Sequence, residues 1–170
     1  MVYNKPPVFN NQNYYMDALF NAIRSSDLET IKTILDNNPN LVSSKDTRGS
    51  TPLLLAAYYG LEDVVKAILK YNPDINAKDG MGNTALMGVC FKGHYTIAKI
   101  LIDAGADVNQ KNNNNATALI YAATFSQKEI IILLLENAAD INIRDNRGYT
   151  AEMHAKDQGL DFSELLDLTS

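Results

Sequence analysis

The chain repeats itself every 33 residues, and this period constrains its fold more than any other feature. Asp46, Asp79, Asn112 and Asp145 stand 33 apart, and Thr51, Thr84, Thr117 and Thr150 keep the same step. Leu53, Leu86 and Leu119 follow it too. Later in each period come Asp74-Ile75-Asn76, Asp107-Val108-Asn109 and Asp140-Ile141-Asn142, again in register. One matching triplet would be chance; four registers held over three or four copies define an architecture.

Each period reads as a turn followed by two short helices. Thr51 can cap a helix whose first position is Pro52, where the missing N–H costs nothing. Leu53, Ala56 and Ala57 then share one helical face, and Gly60 ends the helix. Val64, Val65, Ile68 and Leu69 mark a second helix. Asn72, Gly105 and Ala138 fall where that helix should stop. Glycine and asparagine tolerate the left-handed backbone of such a stop and alanine does not, which predicts a different ending at Ala138. Helices of about nine residues cannot bury their apolar faces alone, so neighbouring units must stack.

The units resemble ankyrin repeats. Thr51-Pro52-Leu53 with Ala56-Ala57, Gly93-His94 and Gly105-Ala106-Asp107-Val108-Asn109 carry the likeness, which extends over roughly residues 14 to 168. The resemblance implies an all-α repeat solenoid of stacked helix-turn-helix units joined by β-turn or hairpin loops. The chain then divides into a tail at 1–12 and a capping unit at 13–45. Internal units follow at 46–78, 79–111 and 112–144, and a second capping unit at 145–170. Leu19, Ala22, Ile34 and Leu35 align with Leu53, Ala56, Ile68 and Leu69 at a 34-residue offset, as a divergent first unit would. The last unit replaces the inward leucine by Glu152, in keeping with a cap that faces water on one side.

The departures are equally specific. The histidine that follows Thr-Pro-Leu in this family is replaced by Leu54, Met87 and Ile120, so apolar packing is expected where the family joins neighbouring turns by hydrogen bonds. The unit from Asn112 departs most. Asn115, Ser126 and Ala138 stand where glycines belong, and this predicts the softest internal unit. Asn115 is the best substitute for a left-handed turn.

Composition excludes several classes. One cysteine, Cys90, rules out an internal disulfide and a four-cysteine zinc site, and two histidines leave little for a mixed one. Cofactors and metal are therefore expected to be none. The longest unbroken hydrophobic run, Leu53 to Tyr59, is far short of the roughly 18 residues that suggest a membrane span. The first thirteen residues lack an apolar signal core, which points to a cytoplasmic protein, and the capping units point to a monomer. No phosphate-binding glycine loop occurs. Cys90 and His94 are four apart, but Gly93 between them marks the inter-helix turn and breaks any nucleophile–base geometry. His154, two residues from Glu152, reads as an ordinary helix histidine. Catalytic residues are expected to be none.

Binding along the concave face is what the resemblance implies. Transferred position by position, that face holds Arg48, Tyr58, Tyr59, Lys78, Met81, Phe91, Lys92, Lys111, Phe125, Arg144, Arg147 and Tyr149. With Arg24 and Lys45 it gathers eight of the fifteen basic residues, although the chain's net charge is −5. Lys45, Lys78, Lys111 and Arg144 recur every 33 residues, so solvation alone is an equal account of that stripe. Aromatics beside arginine favour protein interfaces. The expected function is thus a non-catalytic protein–protein interaction module taking an acidic, partly apolar partner. The alternative is stacking and phosphate neutralisation of single-stranded RNA or an oligonucleotide.

Overall fold

A computed structural model describes residues 11–169. Most of the expected tail at 1–12 lies outside them. Among the described residues the chain is helical and has no strand. Helix α1 spans Asn11–Arg24 and α2 spans Leu28–Asn37, followed by a 3-10 turn at Pro39–Ser43. Four further pairs follow: α3 (Pro52–Tyr58) with α4 (Glu62–Leu69), α5 (Ala85–Lys92) with α6 (Tyr95–Asp103), α7 (Ala118–Thr124) with α8 (Lys128–Glu136), and α9 (Ala151–Asp157) with α10 (Phe162–Asp167). Odd-numbered helices pack on one another along the stack, as do even-numbered ones, so two helical layers enclose the core.

The first helix of each later pair starts on the repeated threonine. The side chains of Thr51, Thr84, Thr117 and Thr150 accept the backbone N–H of Leu54, Met87, Ile120 and Met153, each at 3.3 Å. This satisfies one of the donors a helix start leaves open. Leu53, Leu86 and Leu119 are buried with Ala56, Ala57, Cys90, Ala122 and Ala123. The small alanines let successive first helices approach closely, and Val65, Ile68, Ile97, Leu101, Ile131 and Leu134 fill the space towards the second layer. Helix α1 begins two residues inside the expected tail. No Gly or Pro interrupts residues 11 to 24, and Tyr15 and Met16 continue the apolar face onto the core.

Two expectations are corrected. Ala138 does take the left-handed conformation, with φ 61°, so its helix stops as its counterparts do. The geometry is imposed from outside: the Ala139 N–H donates to Leu134 at 3.0 Å, Ala139 is buried, and Asn109 of the preceding unit donates to the Ala138 carbonyl at 3.2 Å. Ser126 is left-handed as well, at 57°. The second correction concerns the missing histidine. Leu54, Met87 and Ile120 are indeed buried, but in one unit the next helical position restores a polar link to the neighbouring turn, and in the last unit it makes one within its own turn. The Tyr121 hydroxyl donates to Asn83 at 3.2 Å and accepts from Asn112 at 3.1 Å, and His154 Nε2 meets Asp145 Oδ2 at 2.8 Å.

Candidate functional site

The turns preceding each helix pair are held by their own aspartates. Oδ1 of Asp46 accepts the amides of Arg48 and Ser50, that of Asp79 those of Met81 and Asn83, and that of Asp145 those of Arg147 and Tyr149. Asn112 does the same for Asn114 and Ala116, each at 2.9 Å, with an amide oxygen in place of the carboxylate. Successive turn tips are also tied through the backbone, Gly80 N–H to Arg48, Asn113 to Met81 and Asn146 to Asn114, at 2.9–3.1 Å. The tips therefore form a regular wall facing the first-helix layer.

Between that wall and helices α3 and α5 lies a trough of about 800 Å³. Of the residues expected on the concave face, it is lined by Arg48, Tyr58, Tyr59, Met81 and Phe91. An aromatic row runs along it. Tyr59 meets Tyr58 edge-on at 5.9 Å, Tyr58 stacks on Phe91 at 6.2 Å, Phe91 meets Phe125 edge-on at 4.6 Å, and Phe125 stacks on Tyr121 at 6.5 Å. Tyr58, Tyr59 and Phe125 remain 41%, 49% and 42% exposed, unusual for side chains that could bury 150 Å² or more. Lys92 stands with Nζ 5.3 Å from the Tyr58 ring centre, a cation–π placement.

The remaining expected residues lie elsewhere. The Lys78 ammonium is spent on the Lys111 carbonyl at 2.8 Å, as Lys45 is on Lys78 at 2.9 Å, so these lysines lace unit to unit. Arg144 donates to the Gly148 carbonyl at 2.7 Å. Arg147 covers the Tyr149 ring at 4.7 Å in the last turn, away from the trough. Sequence reasoning did not select Leu55, Gly88 or Tyr121, which line the trough one position before the buried Ala56, Val89 and Ala122. Their common 33-residue step was the available signal.

Two cations beside the trough, Arg48 and Lys92, are left without an ion-pair partner among the described residues, whereas Arg24 pairs with Asp46 at 3.4 Å at the trough's end. Acidic residues such as Glu62, Asp63, Glu129 and Glu136 belong to the second-helix layer. There a smaller cavity, about 500 Å³, opens between α6 and α8 beside Tyr95, Ile132, Glu129 and Glu136. Burial pushes the Asp145 carboxyl up, but the amides of Tyr149 and Arg147 and the ring of His154 outweigh it and hold it below the usual carboxylate range. Burial pushes the Tyr121 phenol up, against the hydrogen bond from Asn112.

Cys90 is fully buried and its thiol is pushed up by that burial. His94 Nε2 instead donates to the Tyr58 carbonyl at 3.3 Å and packs beneath Gly60, so Cys90 and His94 serve separate structural ends. Among the described residues no helix is long and apolar enough to cross a membrane.

Comparison with known proteins agrees with the geometry. The family model described as ankyrin repeats (3 copies) matches residues 3–79 and 73–145. A segment of 52 residues, 31% of this chain, is 38% identical to the serine/threonine-protein kinase VIK of Arabidopsis thaliana. The matched segment is only 12% of that kinase's length. Ankyrin repeats are generally protein–protein interaction modules and typically non-catalytic. With the match spanning most of its length and paired helices stacked throughout, the chain belongs to the ankyrin-repeat family.

Proposed function

We propose that the chain is a non-catalytic binding module whose trough receives an acidic, partly apolar protein surface. The observation that carries this is the half-exposed aromatic row flanked by Arg48 and Lys92, two cations without a carboxylate partner among the described residues. Aromatic rings give large contact area at small entropic cost, and unpaired cations beside them favour carboxylates. Asp46 and Asp79 also line the trough, but Asp46 is paired with Arg24 at 3.4 Å, and the cations Arg24, Arg48 and Lys92 outnumber the two carboxylates. The oligonucleotide reading is less well supported, since Tyr58 and Phe91 already stack on each other and offer bases fewer free faces.

The test is affinity capture from source lysate with wild type and an Arg48→Glu/Lys92→Glu variant. The variant should keep the wild-type melting temperature and lose the captured protein. Equal capture by both would refute the reading. Capture that is abolished by ribonuclease, with steep salt dependence in filter binding, would transfer it to RNA.

A further inference from the structure

Nine glycines occur in the chain, and eight have a local reason to be glycine. Seven adopt a left-handed φ. At Gly80 a Cβ would lie 3.1 Å from the Arg48 carbonyl oxygen, in the backbone approach that joins two turns. Gly88 has neither reason. It sits inside helix α5 with helical backbone, and a Cβ there would meet only Tyr58 Cδ2, at an ordinary 3.7 Å. Glycine weakens a helix interior relative to alanine, so the fold alone gains nothing from it.

Its register shows what it removes. Leu55, Gly88, Tyr121 and His154 stand 33 apart, and the first three line the trough. Where the neighbouring helices project a leucine and a tyrosine, α5 projects nothing, which leaves a notch between them. Tyr58 and Phe91 stand on its α3–α5 side, while Arg48 and Met81 lie in the turn wall across the trough. An apolar notch with cations at its rim complements an apolar side chain flanked by carboxylates.

We propose that Gly88 floors a specificity notch for one bulky apolar side chain, Leu, Ile, Met or Phe, carried on an acidic peptide segment whose carboxylates meet Arg48 and Lys92. This rests on the function proposed above and narrows its partner to a short motif of acid–apolar–acid character. Stability and recognition are then opposed at one position: a side chain at residue 88 improves the helix and obstructs the ligand.

The test uses the full chain and fluorescein-labelled peptides of Asp/Glu-rich sequence with one varied central residue, read by fluorescence anisotropy. Wild type should bind the Leu, Ile, Met and Phe peptides about tenfold or more tighter than the Ala peptide. Gly88→Ala should keep or raise the melting temperature and narrow that preference. Gly88→Leu should erase the preference while the weak, salt-sensitive binding common to all acidic peptides persists. Arg48→Glu should weaken every peptide alike.

A flat response across the varied residue, with acidic peptides still bound, would overturn the notch and leave the proposed function standing. Absence of binding to any acidic peptide would overturn both. A fall in melting temperature for Gly88→Ala would also overturn the notch, because it would give the glycine a structural reason.

Discussion

Among the described residues, five other than glycine hold a left-handed backbone: Ser26, Asn72, Asn115, Ser126 and Ala138. For alanine this conformation costs roughly 1–2 kcal/mol, while glycine's greater freedom in the unfolded chain costs about 0.5–1 in return. Ala138→Gly should therefore raise stability by about 0.5–1 kcal/mol in urea unfolding; a decrease would contradict the strain at this site. Gly49→Ala is the converse. Its φ is 78° and a Cβ would lie 2.8 Å from the backbone nitrogen of Gly80, so a loss of more than about 1 kcal/mol is expected. Asp145 makes stability depend on pH. Its folded carboxyl titrates below the usual carboxylate range, so its contribution is complete above about pH 4 and fades as pH falls through the lower folded value. Asp145→Asn should flatten that acid limb in melting scans. Asn112 shows that an amide oxygen can hold this turn.

At the scale of elements, the repeated threonines and buried leucine–alanine faces were readable because capping and helical periodicity are local rules. Replacing Thr84 by Ala should cost about 1 kcal/mol through the lost cap on Met87. What was not readable depends on neighbours. Nothing in residues 128–139 announces that Asn109, a full unit earlier, will cap Ala138. Nor does composition reveal that Lys78 lies within reach of the Lys111 carbonyl, which needs the stacking distance itself. Gly88 was visible as a residue but not as a gap, since a gap exists only between Leu55 and Tyr121 once they share a trough. The unit from Asn112 is still expected to be the softest internal one, with the weakness at its helix ends. Its turn is tied to both neighbours by Asn113 and Asn146. The equivalent amides of Leu61 and Gln127 both close a helix end, one beside Gly60 and the other beside strained Ser126. Hydrogen exchange should be several-fold faster at Gln127; equal rates would remove the basis for calling this unit soft.

For the whole molecule, net charge and binding chemistry point in opposite directions because charge is unevenly placed: Glu62, Asp63, Glu129 and Glu136 lie on second helices, while Arg48 and Lys92 stand at the trough. A total of −5 coexists with a trough where Arg24, Arg48 and the neighbouring Lys92 outnumber the lining carboxylates of Asp46 and Asp79. Added salt should therefore slow capture of acidic peptides while leaving the melting temperature nearly unchanged, since exposed pairs such as Lys32–Glu29 contribute about 0–1 kcal/mol each. A large salt effect on melting would mean that these surface pairs matter more than their exposure suggests. The single cysteine adds a practical consequence. Cys90 lies fully buried in the middle helix pair, two residues from Gly88, with a thiol reluctant to ionise. It is thus a chemical stopwatch already installed in the protein: a thiol reagent can mark it only during the intervals when the stack parts at its centre, and a guest seated in the trough should lengthen the wait between them.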